Sequence, residues 1–307
     1  MRRPHTIEIS SKHLRIFCHS GKLLVNHTLT APETKPPFKW AGGKRWLASA
    51  APALVPPKWK GKYFEPFVGS GAFFFALKPS SAILSDTNLE VVATYRALQL
   101  DPDNIIEELD FYPHDADFYY YLRETRPRSP HAVAARFLYL NRTCWNGLYR
   151  VNRKGKFNTP FGDYSNPTIC NEDRIEDAAA ALSHADLLTG DFETVLRNAK
   201  RGAFVYCDPP YITGHKNNGF HKYNASLFAW SDQQRLAKVA SELKARGVHV
   251  LVSNADNDSV IKLYKGFKYY RLKRCSLIAA ESGNRGGITE ALLSSYPILR
   301  CESEVIR

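Results

Sequence analysis

Ala203-Phe204-Val205-Tyr206-Cys207 runs without a break into Asp208-Pro209-Pro210-Tyr211, and this junction constrains the fold more than any other stretch of the chain. An uninterrupted apolar run of this length predicts a strand buried on both faces, as in a sheet covered by helices. The two prolines cannot donate to a ladder, so the strand ends there and leaves Asp208 at its carboxyl end, where open α/β sheets place their ligand sites. The proline carbonyls then face outward as acceptors. An acidic acceptor, a rigid turn of carbonyls and the aromatic face of Tyr211 suit a planar ring that carries an exocyclic amine. A proline-rich turn beside a solvated aspartate is the competing reading, and the remaining motifs decide between the two.

Upstream, the periodicity alternates between strand and helix. Trp46 to Leu54 reads as a helix, and Lys62 to Phe67 as a strand ending in Val68-Gly69-Ser70-Gly71. Ala72 to Leu77 is the following helix, and Ser81 to Ser85 a second strand that ends at Asp86. A strand, a glycine turn, a helix and a strand with a terminal acid form the opening of a doubly wound nucleotide-binding sheet. Later segments continue it: a helix from Ser231 to Arg246, the apolar run Val248 to Val252, and strands around Tyr269 to Leu272 and Glu290 to Leu299. Between Glu90 and Thr189 the pattern is mostly helical and rich in Tyr and Arg, which splits the sheet domain by an insertion. In front of it, residues 6 to 27 alternate like a small appended β-hairpin, followed by a proline-bearing linker from Ala31 to Pro37.

The glycine turn narrows the ligand. Gly69 and Gly71 let the backbone approach it closely, and Asp86 can accept hydrogen bonds from ribose hydroxyls. Position 74 is Phe, so the longer Gly-x-Gly-x-x-Gly that grips a pyrophosphate is missing and NAD or FAD is disfavoured. Adenosine joined to a group without phosphates fits better. In Lys39-Trp40-Ala41-Gly42-Gly43-Lys44, Lys44 can hold a ligand carboxylate, such as the methionyl end of S-adenosylmethionine, with Trp40 packing on it. Gly-Gly-Lys-Arg lacks the spacing and the hydroxyl residue of a phosphate-binding P-loop.

Forty-two Lys and Arg against thirty Asp and Glu give a formal charge of +12, which favours a polyanion as partner. No apolar run reaches the roughly 18 residues of a membrane-spanning helix and no signal-peptide core opens the chain, so a cytoplasmic protein is expected. The cysteines at 18, 144, 170, 207, 275 and 301 form no Cys-x-x-Cys pair, and His114, His131, His184, His215 and His221 show no ligand spacing; no metal site is expected. Cations concentrate in Asn141 to Lys156, five of them with no acid, interleaved with Trp145 and Tyr149. Its glycines at 147 and 155 suit a hairpin or loop entering a groove of DNA, where cations such as Arg142 bind phosphate, an Arg pairs with guanine and aromatics fill the gap left by a displaced base. Lys216, His221 and Lys222 suggest either a mobile loop over DNA or substrate or a solvated loop.

Six ordered motifs carry a family resemblance: Lys39 to Lys44, Phe64-Glu65-Pro66-Phe67-Val68-Gly69-Ser70-Gly71, Leu84-Ser85-Asp86-Thr87-Asn88, the block Arg136 to Tyr164, Gly190-Asp191-Phe192, and Asp208 to Tyr211. In this order and spacing the chain resembles the DNA adenine methyltransferases of the Dam type, from about Phe38 to at least Asp256. The resemblance implies a Rossmann-like S-adenosylmethionine-dependent methyltransferase sheet with an inserted, mostly helical target-recognition domain carrying a β-hairpin. It implies a catalytic domain over 37–90 and 190–307, a recognition domain over 91–189 and an N-terminal extension over 1–36. The cofactor would be held by Trp40, Ala41, Gly42, Lys44, Phe67, Gly69, Gly71, Asp86, Asp191, Phe192 and Asp208. Lys39, Leu148, Arg150, Pro160 and Tyr164 occupy positions that read the target, and Trp145 and Asn146 positions that wedge the duplex; Asn141 and Arg142 complete the DNA-binding set. Trp145 stands where the family more often has Tyr. The pattern matches members that recognise GATC, acting as monomers on double-stranded DNA, whether solitary, within restriction-modification systems or on mobile elements.

The exocyclic amine of adenine is a poor nucleophile because its lone pair is delocalised into the ring. Hydrogen bonds from its two protons to the Asp208 carboxylate and the Pro209 carbonyl would favour a pyramidal nitrogen. Pro210 would stiffen the turn and Tyr211 stack on a base flipped out of the duplex. Positioning and preorganised dipoles would supply catalysis, without a covalent enzyme intermediate. A cytosine-carbon methyltransferase would need a Pro-Cys nucleophile, and the chain contains no Pro-Cys dipeptide. The alternatives are an amine methyltransferase acting on cytosine or RNA, and a catalytically inactive DNA-binding relative.

Overall fold

The structure, a computed structural model, describes residues 4–10, 12–18, 20–32, 34–152, 155–211, 228–274 and 289–298. Two compact units emerge. One comprises residues 1–31, 45–67 and 192–307, the other residues 32–44 and 68–191.

The first unit is built on a mixed sheet. Its strands are β1 (His5–Ile9), β2 (His13–Phe17), β3 (Leu23–Thr28), β4 (Tyr63–Glu65), β7 (Phe204–Cys207), β8 (His249–Ala255), β9 (Lys268–Arg274) and β10 (Thr289–Ser294), in the order β3-β2-β1-β9-β10-β8-β7-β4. All four residues of β7 are buried, as its apolar run requires. It lies parallel to β4 and β8, with Phe204 opposite His249 and Cys207 opposite Val252. β10 runs antiparallel to both β8 and β9. The helix Trp230–Ala245 buries Gln233, Leu236, Ala237, Val239, Ala240 and Leu243, a helical stripe of the kind that covers a sheet.

The N-terminal segment departs from the expected appended hairpin. It forms three strands rather than two, and β1 pairs in parallel with β9 from His5 opposite Tyr270 to Ile9 opposite Arg274. Ile7, Ile9, Leu14 and Ile16 alternate inward and are buried. The reason is an edge: β9 would otherwise present unpaired backbone groups, and the meander covers them and moves the edge out to exposed β3.

The second unit holds the parallel pair β5 (Ala82–Asp86) and β6 (Ala185–Thr189), with Asp86 opposite Thr189. Its helices are Ala72–Leu77, Leu89–Leu100, Pro102–Asp110, Ala116–Glu124, Pro130–Thr143 and Glu172–Leu182. Asn88 caps the second of these by accepting from the backbone N–H groups of Glu90 and Val91, and Asp115 and Asn171 cap their helices through Phe118 and Arg174. Tyr95, Leu98, Ile105, Leu109, Phe137 and Leu140 lie in its core. The predicted helix Trp46 to Leu54 is two short helices, Arg45–Ala48 and Ala51–Leu54, with a proline at the start of the second. No helix among the described residues is long and apolar enough to cross a membrane.

Because β1 is part of the sheet, Ile7→Ala is expected to lower global stability by about 2–4 kcal/mol in urea unfolding, the cost of truncating a fully buried aliphatic side chain. An appended hairpin would leave the transition unchanged.

Candidate active site and nucleic-acid interface

In the first unit, Asp208 follows β7 directly, so the buried strand delivers its carboxylate to the sheet's carboxyl edge. Tyr211 is pinned through its hydroxyl, 2.7 Å from Ser253 Oγ and donating to Glu290 Oε2 at 2.8 Å. Burial first, then the nearby Asp208 and Glu290 carboxylates, push the phenol well above its ordinary pKa, so it stays neutral. On the same turn, the buried Gln233 donates to the Pro210 carbonyl over a long 3.5 Å and accepts from Asn254 Nδ2 at 2.9 Å. Cys207, one residue before Asp208, is buried, and desolvation raises its thiol pKa, which keeps it from acting as a thiolate nucleophile. Phe67 and Phe192 pack together with ring centroids 5.5 Å apart, and the Arg235 guanidinium lies 4.5 Å over the Phe192 ring.

In the second unit, the glycine turn is locked from several sides. Asp86 Oδ2 accepts from Gly69 N–H at 2.9 Å while its Oδ1 accepts from Asn88 N–H at 2.9 Å. Tyr95 donates to Gly69 O at 2.9 Å, and Val68 N–H donates to Ser85 O at 2.9 Å. Burial raises the Asp86 carboxyl pKa, opposed by these backbone donors. Gly69 has φ 46°, and a Cβ there would stand 2.6 Å from Trp40 Cδ1: the indole lies where only glycine leaves room. Gly71, also left-handed at φ 64°, precedes the helix Ala72–Leu77. Lys44 is buried, donating to Gly42 O at 3.1 Å, and Ala41 and Gly42 form an exposed turn. Gly190 N–H donates to Asp86 O at 3.2 Å, which brings Asp191 beside Asp86.

The basic segment also folds in this unit. The backbone at Thr143 to Trp145 pairs with Pro160 to Gly162, through Trp145 N–H to Pro160 O and Gly162 N–H to Thr143 O. A second arm pairs Arg150 with Asn158 and Asn152 with Lys156. The expected β-hairpin is therefore a hairpin loop held by isolated bridges at Cys144–Phe161 and Val151–Phe157, without regular strands. Trp145 is 55% exposed, and Asn146 and Gly147 both take left-handed φ, of 56° and 62°, which thrusts the indole outward. Tyr164 donates to Cys144 O at 3.1 Å, and Lys39 Nζ lies 5.9 Å over the Tyr164 ring. Arg150 is exposed and braced by two hydrogen bonds to Asn158. Arg142 donates to Pro37 O. Lys39, Trp145, Leu148, Pro160 and Tyr164 thus gather around one loop.

Asn141, expected among the DNA-binding residues, is bonded within the protein to Lys39. It is buried, accepting from Lys39 N–H at 2.8 Å and donating to Lys39 O at 2.9 Å, so it braces the backbone at Lys39. Sequence reasoning missed a further group altogether. Tyr149 stacks on Trp40 with centroids 5.0 Å apart and donates to Glu90 Oε2 at 2.7 Å, while Glu90 Oε1 pairs with buried Arg136 at 3.3 Å. Only the position of Arg136 at the head of the motif block hinted at it. Lys216, His215, His221 and Lys222 lie outside the described residues, and among the described residues no cluster of His, Cys, Asp and Glu could hold a metal ion.

Residues 40–277 match the family model of the D12 class N6 adenine-specific DNA methyltransferases. The chain belongs to that family. It is 37% identical over 272 residues to the type II methyltransferase M1.LlaDCHI of Lactococcus lactis, covering 85% of this chain and 95% of that protein. Type II methyltransferase M.MjaIII of Methanocaldococcus jannaschii is 37% identical over 288 residues, 86% of this chain and all of the relative. The DNA adenine methylase of Serratia marcescens is 33% identical over 264 residues, 83% and 96% of the two chains. This adenine-specific DNA methyltransferase therefore matches its relatives over nearly their whole length, including the segments that carry Asp208 and the basic loop.

Glu90→Ala is expected to destabilise the enzyme by about 2–3 kcal/mol in chemical denaturation, because it strips a carboxylate from buried Arg136 and from Tyr149 together. Glu90→Gln, which still accepts from Tyr149, is expected to lose less.

Proposed function

We propose that this methyltransferase modifies the N6 amine of an adenine flipped out of double-stranded GATC. The observation that carries the chemistry is Asp208 at the carboxyl end of β7, followed by two prolines within a family-matched segment. S-adenosylmethionine, the methyl donor generally used by methyltransferases, supplies a methyl group made electrophilic by its sulfonium.

The residues suit that donor. Asp86 spends one lone pair of each oxygen on backbone N–H groups and keeps others for ribose hydroxyls. Lys44 offers an ammonium to a carboxylate, and Trp40, seated over Gly69, offers an aromatic face. The left-handed Gly69 and Gly71 leave room for close approach. Ala41, Gly42, Asp191 and the Phe67–Phe192 pair complete the proposed set, which contains no array of donors for a pyrophosphate.

Asp208 and the Pro209 carbonyl accept the two amine protons and hold the nitrogen pyramidal, with its lone pair released from the ring. The proton lost from nitrogen passes to the Asp208 carboxylate or to water. Pro210 limits the turn to one conformation, and Tyr211 gives its ring to the base. The neutral Cys207 thiol takes no part, which accords with direct transfer and no covalent adduct. On the DNA side, Arg150 and Leu148 read base edges with Lys39, Pro160 and Tyr164, Trp145 and Asn146 fill the space left by the base, and Arg142 with the net charge of +12 binds phosphate. Asn141 supports Lys39 from behind. The enzyme acts as a monomer inside the cell that carries its DNA.

Asp208→Ala is expected to abolish methyl transfer in a tritiated-methyl assay while DNA binding persists; turnover by that variant would end the proposed mechanism. Arg150→Ala is expected to reduce discrimination between GATC and its single-base variants by about 1–3 kcal/mol, more than it weakens nonspecific binding. Single-molecule sequencing of DNA from expressing cells reports the modified base and its context together.

A further inference from the structure

We infer that Glu290 and Ser253 are positioning residues for methyl transfer: they clamp the Tyr211 hydroxyl, fix the plane of its ring and take its proton out of the chemistry. The inference rests on the reading of Tyr211 as the residue that holds the target base.

The clamp is a product of sheet register. Ser253 lies on β8 and Glu290 on β10, in neighbouring antiparallel strands with Glu290 opposite Ala255 and Leu292 opposite Ser253. β8 is also the parallel neighbour of β7, with Val252 opposite Cys207. Ser253 therefore follows the residue that pairs with Cys207, as Asp208 follows Cys207 itself. One of the two strands that carry the clamp, β8, borders the strand that presents Asp208, and the other, β10, lies on the far side of β8. Ser253 is fully buried, so its hydroxyl cannot swing into water, and it lies 2.7 Å from Tyr211 Oη and 3.4 Å from Glu290 Oε2.

Proton accounting gives the clamp a direction. The phenol donates its single proton to Glu290 Oε2 at 2.8 Å. Ser253 then points its own proton at Tyr211 Oη or at Glu290. In either arrangement Tyr211 has no proton to pass to a leaving or attacking group. Its phenol is also raised well above the ordinary tyrosine range by burial and the nearby carboxylates, so it does not serve as a base. What it retains is a ring face held by a part-buried hydrogen-bond triangle, 79 residues from Glu290 in sequence. Orientation of a reacting group within a fraction of an ångström is worth large factors in rate, and a ring free to rotate would lose part of that.

The test compares Glu290→Ala, Glu290→Gln and Tyr211→Phe in steady-state methylation of a GATC duplex, with S-adenosylmethionine as donor. Glu290→Ala is expected to lower kcat by roughly 10- to 100-fold, with both KM values within about twofold of the parent. Glu290→Gln, whose amide oxygen still accepts from the phenol, should recover to within about threefold of the parent kcat, since a neutral hydrogen bond replaces a charge-assisted one. Tyr211→Phe keeps the ring and should match Glu290→Ala, and the double variant should be little worse than either single one, because both remove the same bond. Should Glu290→Ala show no cooperative melting transition, Ser253→Ala with Tyr211→Phe supplies the same cycle. Parent-like kcat in Glu290→Ala, no recovery in Glu290→Gln, or fully additive losses would overturn the inference. Asp208→Ala run alongside separates the two levels: activity there breaks the reading of the catalytic turn, whereas an inactive Asp208→Ala beside a fully active Glu290→Ala breaks only the clamp.

Discussion

Burial of the strand Phe204–Cys207 on both faces is the constraint from which the catalytic unit follows. A strand with no polar position must sit inside a sheet between two partners, and here those are β4 and β8, both parallel to it. Parallel neighbours bring the carboxyl ends of strands to one edge of the sheet, so the residue after the last apolar position is delivered to that edge. Asp208 is that residue. The prolines behind it end the pairing by removing two backbone donors, and Gln233 and Ser253, buried members of the neighbouring elements, hold the turn that results. The position of one carboxylate is thus set by hydrophobic burial and by missing N–H groups together.

The second unit solves a different problem. In the segment rich in cations, the bracing residues lie inside and the residues proposed to meet DNA lie outside. Asn141 satisfies both backbone groups of Lys39, Tyr164 reaches Cys144 O, and Tyr149 is tied to Glu90 and Arg136. Trp145 and Arg150, by contrast, face solvent. The stack of Tyr149 on Trp40 joins the recognition loop to a residue of the proposed donor site. Burial separates the bracing residues from the exposed ones proposed to meet DNA, although both kinds share one run of sequence.

Membership of the D12 class and the degree of identity to type II methyltransferases and DNA adenine methylases account for the adenine-specific chemistry. They do not explain how the turn is held, and that explanation comes from side chains distant in sequence. Hydrogen-bond donors and acceptors around Tyr211 come from positions 253 and 290, and those around the glycine turn from positions 86 and 95. The glycine at 69 is needed because Trp40 occupies the space a Cβ would take.

Local sequence alone determined the element types near the site: the apolar run before Asp208, the glycine turn after β4, the acid ending β5 and the basic, aromatic loop after Thr143 were all legible, because period, proline chemistry and charge act over a few residues. The order of motifs was enough to identify the family resemblance. Tertiary structure alone decided that β1 to β3 form a sheet edge paired with β9, that Asn141 is buried against both backbone groups of Lys39, that the basic loop is held by isolated bridges, and that Tyr211 is clamped by Ser253 and Glu290. Each of these depends on strand register or on which side chain is buried, and both are set by contacts between segments that no local pattern encodes.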